Sequence, residues 1–162
     1  MTKSRRTFLT AAGLGALGTA FFWPRGESRA AQTFELNLTE AQWRKRLTPA
    51  QFYILRQEGT ERPYSSPLND EHRAGVFSCA GCALPLYASK TKFDSHTGWP
   101  SFYAPLPKAV VTRADNSFGM ARTEVRCRRC GGHLGHVFND GPPPTGKRYC
   151  MNGAAMTFRP RG

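Results

Sequence analysis

The chain has 162 residues, enough for one domain with its own hydrophobic core and too few for two of ordinary size. Lysine and arginine number 23 against 11 acidic residues, and the net charge of +12 is compatible with an anionic partner. No basic run is interleaved with aromatic residues, however, which disfavours a nucleic-acid-binding protein. Residues 1–30 contain five of the positive charges and one negative charge, so the remainder has a net charge of +8.

The N-terminus has the pattern of an export signal. The segment SRRTFL (4–9) resembles a twin-arginine signal, and a mildly apolar stretch follows over 7–23. Small residues at Ser28 and Ala30 predict cleavage after Ala30, which leaves a domain over 31–162 in the periplasm or another exported location. The alternative is an uncleaved membrane anchor, but an apolar stretch of 17 residues with three glycines is short for a spanning helix.

Two short helices are predicted at the front of the domain. Thr39 followed three residues later by Gln42 has the spacing of a capping box. Thr48 and Gln51 repeat that spacing, with Pro49 at the first helical position. Each helix therefore begins at a threonine cap.

From residue 59 onward the pattern changes to loops and short strands. Gly59 is a helix stop, and the segment RPYSSPLNDE (62–71) is predicted to be a loop. Over 122–126 the charged residues Arg122, Glu124 and Arg126 alternate with Thr123 and Val125, as in a strand with one solvated face, and 115–119 is a turn. Predicted strands cover 75–79, 84–89, 108–114, 121–127, 133–138 and 148–158. The fold class is α+β, mainly antiparallel, with the helices in front.

Four of the five cysteines form two pairs, CAGC and CRRC, separated by 44 residues. Two Cys-x-x-Cys pairs are typical of a tetrahedral zinc site, in which four thiolates close the metal off from chemistry. We therefore predict a structural Zn²⁺ held by Cys79, Cys82, Cys127 and Cys130.

Other arrangements of these cysteines remain open from the sequence. In an exported protein the pairs are compatible with two disulfides, or with a redox Cys-x-x-Cys. The twin-arginine route exports chains that are already folded, so it favours a metal ion acquired in the cytoplasm over disulfides formed after export. Cys127, Cys130, His133 and His136 would form a rival Cys₂His₂ set, but that set leaves the first pair unused.

Cys150 is the fifth, unpaired cysteine. On a strand, Arg148, Cys150 and Asn152 share one face, because side chains alternate. A neighbouring guanidinium favours the thiolate, which is the nucleophilic form, and Asn152 offers a hydrogen-bond donor. A lone cysteine is more often a small buried hydrophobic residue, so this pattern alone does not establish a nucleophile.

The surroundings of Cys150 in the sequence add groups for proton transfer and substrate binding. His133 and His136 would face opposite sides of a regular strand, but a bulge at Gly135 would turn them the same way. Two histidines beside a thiol indicate proton transfer. Trp99, fixed by Pro100, is either a core residue or the wall of a small apolar pocket.

At these motifs the chain resembles the B-type methionine sulfoxide reductases, which reduce the R epimer of methionine sulfoxide. The resemblance begins at LTEAQWRKRL and continues over 38–64. It is carried further by KFDSHTGWPSF (92–102), by the run over 122–142, and by TGKRYCMN (145–152). The two Cys-x-x-Cys pairs agree in order and spacing, so the resemblance covers nearly all of 31–162.

The resemblance implies a nucleophile and its proton donors. Cys150 would attack the sulfoxide sulfur and become a sulfenic acid as methionine leaves. His133 and His136 would supply and orient protons for the departing oxygen, with Asn152 hydrogen-bonding nearby.

It also implies a substrate pocket and a fold. Trp99 would pack on the terminal methyl group of the substrate, Phe138 would line the same pocket, and Arg148 would favour the thiolate. The fold would be two small antiparallel sheets with N-terminal helices, stabilised by the four-thiolate zinc away from the active site. The chain would act as a monomer on oxidised proteins or free methionine sulfoxide, without nucleic acid or membrane insertion.

One position departs from the family pattern. Many members have a resolving cysteine just before the Gly-Trp-Pro turn, where this chain has Thr97. With four thiols on zinc, no cysteine remains to form a disulfide with Cys150, so an external, thioredoxin-like thiol reductant is expected to attack the sulfenic acid. A Cys-x-x-Cys thiol would resolve it if the zinc assignment were wrong. His96 is expected to be a surface residue.

Two other functional classes fit parts of the sequence. A binding module would use the Trp99 pocket without turnover, and replacement of Cys150 would leave its binding intact. A nucleic-acid-binding zinc protein would use the positive charge and CRRC, with strongly salt-dependent affinity.

Overall fold

The computed structural model describes residues 33–161. Within that range the α-helices and strands follow in the order α1 (Glu40–Arg46), α2 (Pro49–Gln57), β1 (Gly75–Cys79), β2 (Pro85–Ala88), β3 (Lys92–Phe93), β4 (Ser101–Phe102), β5 (Val110–Asp115), β6 (Arg122–Cys127), β7 (His133–Phe138), β8 (Arg148–Met151) and β9 (Met156–Pro160). No helix in this range is long and apolar enough to cross a membrane. The predicted signal over 1–30, with its cleavage after Ala30, lies outside the described residues.

Both predicted capping boxes begin the helices. The Thr39 hydroxyl accepts from the Gln42 backbone N–H at 3.3 Å, and the Gln42 side chain accepts from the Thr39 N–H at 2.8 Å. The pair that begins α2 has the same arrangement. Helix α2 ends just before Glu58, which is left-handed with φ of 56° and directly precedes the predicted stop at Gly59.

The strands form two antiparallel sheets, as predicted. The smaller sheet has the order β2-β1-β9, and the larger has the order β3-β4-β8-β7-β6-β5. Strand β8 therefore lies between β4 and β7, where Cys150 pairs with Ser101 on one side and His136 on the other. This register determines which side chains can reach the fifth thiol.

Aromatic side chains join the two sheets. Phe77 of β1 meets Phe102 of β4 edge to face, with ring centroids 5.0 Å apart, and Tyr87 of β2 stacks on Phe102 at 4.3 Å. All three rings are fully buried, and the Tyr87 hydroxyl donates to the Met151 sulfur at 3.2 Å. Such rings bury large apolar areas and prefer these offset geometries. These contacts hold β4 and β8 of the larger sheet against the smaller sheet.

The single strand predicted over 148–158 is wrong. Strand β8 ends at Met151, a 3₁₀ turn covers Gly153–Ala155, and β9 then joins the other sheet. The Glu61 carboxylate accepts from the Gly153 and Ala154 backbone N–H groups at 2.5 and 2.9 Å, which holds the turn. Asn152 is consequently placed at the corner where the chain leaves the larger sheet.

Candidate active site

Cys150 is half-buried on β8, and its neighbours are hydroxyl groups. The Cys150 sulfur lies 3.9 Å from the Thr97 Oγ1, the group that occupies the resolving-cysteine position. The Thr97 hydroxyl in turn lies 2.8 Å from that of Ser95, which lies 2.7 Å from the Ser101 hydroxyl. A chain of hydroxyls thus leads from the thiol into the protein, and Thr97 can donate to a thiolate or accept from a thiol.

The charge balance at Cys150 differs from the one predicted. Burial raises the pKa of the Cys150 thiol, and the contacts with Thr97, Arg148 and Ser101 offset only part of that rise. Arg148 gives both its Nε and Nη2 to the Asp140 carboxylate, at 2.9 and 2.8 Å. Arg148 lowers the pKa of Cys150, as expected, but burial outweighs it because the guanidinium is shared with a carboxylate.

A bulge in β7 brings the two histidines together, as proposed from the sequence. The register between β6 and β7 shifts between Val125 and Arg126, and Gly135 has φ of 154°. A Cβ at Gly135 would lie 2.1 Å from the Cys150 carbonyl oxygen, so no larger residue fits there. The His133 and His136 ring centroids lie 5.4 Å apart.

Each histidine is held by a carboxylate. The Nδ1 of His133 lies 2.8 Å from Oε1 of Glu124, and both side chains are buried. The Nε2 of His136 lies 2.7 Å from Oδ2 of Asp115. A carboxylate partner fixes the tautomer and orientation of an imidazole and leaves the other ring nitrogen for chemistry. The Nε2 of His133 is buried and has no hydrogen-bond partner within the described range.

The electrostatics keep both carboxylates ionised. Burial raises the pKa of Glu124, but the hydrogen bond from His133 and the charges of Arg113 and Arg126 outweigh it, and the net pKa lies below its usual value. The Ser117 hydroxyl and backbone, with His136, lower the pKa of Asp115. Burial lowers the pKa of His136 although Asp115 opposes the shift. The neutral imidazole of His136 is therefore favoured near pH 7.

A cavity of about 150 Å³ opens at the thiol. Cys150, His136 and Asn152 line it together with the aromatic side chains of Trp99 and Phe138. The indole Nε1 of Trp99 donates to the Glu61 carbonyl at 3.1 Å, which fixes the ring. The lining thus combines two aromatic rings with a thiol, an imidazole, an amide and the side chain of Arg122, a mixture of apolar and polar groups that is usual at small-molecule sites.

The remaining site candidates lie at its edges. His133 lines a neighbouring cavity of about 310 Å³ that shares His136 with the first. Arg148 does not line the thiol cavity and instead stacks on the Phe138 ring, 4.4 Å from its centroid. The Asn152 amide accepts from the Glu61 N–H at 3.0 Å and donates to the Leu134 carbonyl at 3.2 Å. Asn152 therefore fixes the cavity wall besides lining it.

The other four cysteines form one buried cluster, as predicted. Their sulfur atoms all lie within 4.8 Å of one another, with 3.7 Å between Cys79 and Cys130 and 3.5 Å between Cys82 and Cys127. None of them is in a disulfide. A tetrahedral ZnS₄ centre with Zn–S of about 2.3 Å places its sulfurs about 3.8 Å apart, so the residues present fit a metal ion. The rival set with two histidines is excluded because carboxylates hold both histidines elsewhere.

Four arginines support the two metal-binding loops. Each donates from its guanidinium to a backbone carbonyl in or beside a Cys-x-x-Cys loop, which fixes the loop and places positive charge near the thiolates. The bonds are Arg46 to Gly81 at 2.6 Å, Arg129 to Cys82 at 3.3 Å, Arg56 to Cys130 at 3.0 Å and Arg126 to Gly131 at 2.8 Å.

Comparison with known proteins agrees with this geometry. The family model described as SelR domain matches residues 47–160. The chain belongs to the SelR domain family. Peptide methionine sulfoxide reductase MsrB of Agrobacterium fabrum is 54% identical over 127 residues, which cover 78% of this chain and 94% of the relative. Proteins of the same name from Thiobacillus denitrificans (55% over 124 residues, 76% and 94% covered) and Leptospira interrogans (50% over 127 residues, 78% and 97% covered) are similar.

Within the SelR domain, sequence reasoning missed the two carboxylates. Alternation over 122–126 placed Glu124 on a solvated face, but its side chain is 2% exposed. In the strand register, Glu124 of β6 lies opposite His136 of β7. Alignment of the two predicted strands with the bulge would therefore have placed Glu124 beside the histidines. Asp115 lies in the predicted turn and carried no such signal.

Proposed function

We propose that this SelR-domain chain reduces the R epimer of methionine sulfoxide to methionine through a sulfenic acid on Cys150. The observation that carries the proposal is the cavity in which Cys150 meets His136, Asn152 and Trp99. The other four thiols are gathered in the metal-binding cluster, and Cys150 is the cysteine that lines this cavity. The names of the relatives support the reaction class, and the family resemblance supports the epimer.

The first half-reaction is an oxygen transfer from substrate to thiol. The Cys150 sulfur attacks the sulfoxide sulfur, the sulfur–oxygen bond of the substrate breaks, and the oxygen ends on Cys150 as a sulfenic acid. The cysteine sulfur loses two electrons and the substrate sulfur gains them. The thiol proton and the transferred oxygen form the S–OH group, so the overall exchange needs no other reactant.

The histidines move the proton during this exchange. Since the free thiol has a raised pKa, the nucleophile forms when Cys150 gives its proton away. His136, paired with Cys150 across the strands and favoured as a neutral imidazole, is placed to accept that proton and to deliver it to the sulfoxide oxygen. The second imidazole, that of His133, lies beside His136, and its hydrogen bond with the Glu124 carboxylate holds it in one tautomer.

Epimer selection follows from the shape of the cavity. With the sulfur in front of Cys150 and the oxygen directed to His136, the terminal methyl group points to one remaining side. Trp99 and Phe138, which line the cavity, would supply an apolar wall there. The S epimer would exchange the methyl and oxygen positions and direct its oxygen to the aromatic wall. An unpaired polar group on an apolar wall is costly, so such a cavity would select one epimer, and the family resemblance supports R as that epimer.

An external thiol completes the cycle. Thr97 stands where a resolving cysteine would stand, so a thiol from outside attacks the sulfenic acid, releases water and leaves a mixed disulfide on Cys150. A second external thiol then breaks that disulfide, regenerates the Cys150 thiol and leaves as an external disulfide. A thioredoxin-like dithiol supplies both sulfurs.

The metal and the location complete the proposal. Zn²⁺ held by Cys79, Cys82, Cys127 and Cys130 would be structural, because four thiolates leave no open position. The twin-arginine pattern over 4–9 supports export, and the enzyme would then repair oxidised methionine in exported proteins as a monomer.

The test is turnover of separated epimers. The full chain and its Cys150→Ser variant are each given the R or the S epimer of N-acetyl-methionine sulfoxide, with dithiothreitol, and methionine formation is followed. We expect turnover of the R epimer alone, abolished in the variant. A folded, metal-loaded chain that reduces neither epimer would refute the reductase and leave a binding module.

A further inference from the structure

We propose that an apolar groove beside the catalytic cavity binds the polypeptide that flanks the oxidised methionine. This inference rests on the proposed function and names its substrate class: methionine sulfoxide within an extended, apolar protein segment. The groove lies between helix α2, the loop that follows residue 60, and the 3₁₀ turn after Asn152.

The groove is large enough for several side chains. Its volume is about 530 Å³, within the range of roughly 300–1,000 Å³ common to ligand pockets. Ile54 and Met156 form a buried floor, and the Tyr53 ring stands on the rim, 51% exposed. Ala50 of α2 and Leu68 also line the groove. The Tyr53 ring adds exposed aromatic surface next to this apolar groove.

The groove adjoins the catalytic cavity. Thr60 lines both the groove and the cavity at Cys150. The next residue, Glu61, lines the groove, and its carbonyl accepts the Trp99 indole N–H. One short piece of backbone is therefore the wall between the two spaces. A chain with its oxidised side chain at Cys150 passes Thr60 to reach the groove.

The backbone of Thr60, which separates the groove from the cavity, has groups that can form hydrogen bonds with a bound peptide. Within residues 33–161, the N–H and C=O groups of Thr60 make no hydrogen bond, and the residue is exposed. An extended peptide that crosses Thr60 can pair its own main chain with these groups, as peptides do at exposed backbone edges. Side chains on either side of the crossing then enter the cavity and the groove.

The chemistry of the groove selects uncharged partners. Among the described residues that line it, Glu61 has the one charged side chain, and its carboxylate is bonded to the Gly153 and Ala154 N–H groups. No free charge is left to pair with a charged side chain. The sequence neighbours of a methionine in a protein core are often apolar, so they match this surface once the protein has unfolded.

Two substitutions at equivalent helix positions separate the groove from general effects. Ala50 is the second residue of α2 and lies in the groove, whereas Ala41 is the second residue of α1 and lies outside it. Both are exposed, and glutamate is favourable in the first turn of a helix. Ala50→Glu therefore blocks the groove with a charge without weakening the helix, and Ala41→Glu is its matched control.

The experiment compares two R-sulfoxide substrates with dithiothreitol as reductant. One is N-acetyl-methionine sulfoxide methylamide, and the other is a capped heptapeptide with the sulfoxide at the centre and leucine and alanine on both sides. We expect the wild type to prefer the heptapeptide in kcat/KM. Ala50→Glu should raise KM for the heptapeptide about tenfold, equivalent to about 1.4 kcal/mol, and leave the minimal substrate unchanged. Ala41→Glu should change neither.

Several outcomes would overturn the inference. Equal use of both substrates by the wild type, or an equal effect of Ala50→Glu on both, excludes a flanking subsite. An Ala50→Glu defect that is seen only with a thioredoxin reductant assigns the groove to the reductant instead. Failure of the wild type to reduce even the minimal substrate refutes the proposed function, and the proposal of a flanking subsite is then refuted as well.

A measurement on the wild type does not depend on any variant. The unoxidised heptapeptide, which is the product, is titrated into the protein and backbone amide NMR shifts are recorded. We expect saturable shifts at Ala50, Leu68 and Ala154, which line the groove. Shifts confined to the Cys150 cavity would contradict the subsite.

Discussion

Replacement of the buried Glu124 by glutamine tests how the histidines are held. The Glu124 carboxylate lies 2.8 Å from the His133 Nδ1 and 2.7 Å from the Arg113 Nε, and its side chain is 2% exposed. Glutamine keeps the shape but removes the charge and offers an oxygen to one partner only. The other partner then faces an amide N–H group.

The magnitude follows from these contacts. A hydrogen bond to a charged group contributes about 1.5–3 kcal/mol, and one such bond is lost while the other is weakened. Removal of one partner of a fully buried ion pair costs about 3–5 kcal/mol, but Arg113 is 44% exposed and keeps Glu58 at 2.7 Å. We therefore expect Glu124→Gln to lower the free energy of unfolding by about 2–3 kcal/mol.

The same change should slow the reaction. Proton transfer by a positioned side chain contributes about 10²–10⁴ in rate. Because the His133 ring lies 5.4 Å from that of His136, the group that moves the proton, a misplaced His133 should lower kcat about a hundredfold with KM nearly unchanged. Urea unfolding at pH 7 and steady-state kinetics with the R sulfoxide measure the two effects. The control is Glu58→Gln, which removes the exposed partner of the same arginine and should cost less than about 1 kcal/mol. A Glu124→Gln protein with wild-type stability and kcat would refute this reasoning.

Three further predictions concern the thiols. Because burial raises the pKa of Cys150, its alkylation by iodoacetamide should have a pH midpoint above that of a free cysteine, about 8.5. A midpoint below that of free cysteine in the same buffer would be inconsistent with the burial. In Thr97→Cys the new thiol replaces a hydroxyl that lies 3.9 Å from the Cys150 sulfur, so this variant should form an intramolecular disulfide after one turnover without reductant. A sulfenic acid that persists on Cys150 in this variant, as expected in the control Thr97→Ser, would count against this placement. The chain should bind one Zn²⁺, and Cys82→Ser should lose it together with most thermal stability, whereas Cys150→Ser should keep both. Zinc-free wild-type protein of unchanged melting temperature would exclude a structural metal.

Features determined by neighbouring residues could be predicted from the sequence. The capping box of Thr39 and Gln42, the turn over 115–119 and the bulge at Gly135 each depend on a few adjacent residues, and each lies where it was predicted. The pairing of the Cys-x-x-Cys motifs was predictable because four thiols at that spacing have few other uses in a folded protein.

Features determined by distant contacts could not be predicted in this way. The break after Met151 depends on Glu61, a residue about ninety positions earlier, whose carboxylate holds the 3₁₀ turn. The short strand β4 was missed because two residues carry no periodic pattern, yet it places Ser101 beside Cys150. The pKa of Cys150 depends on two opposing effects, the rise caused by burial and the decrease caused by Arg148, whose guanidinium is shared with Asp140. The sequence around Cys150 shows the guanidinium but not the burial.

The central claim is that Cys150 takes the oxygen of the sulfoxide. The most direct measurement is a single turnover without reductant, in which the wild-type chain is mixed with excess R sulfoxide, quenched with dimedone and digested for mass spectrometry. The account predicts one methionine formed per chain and a dimedone adduct on Cys150 alone. Methionine formed without a Cys150 adduct, or an adduct on a cysteine of the metal cluster, would contradict it.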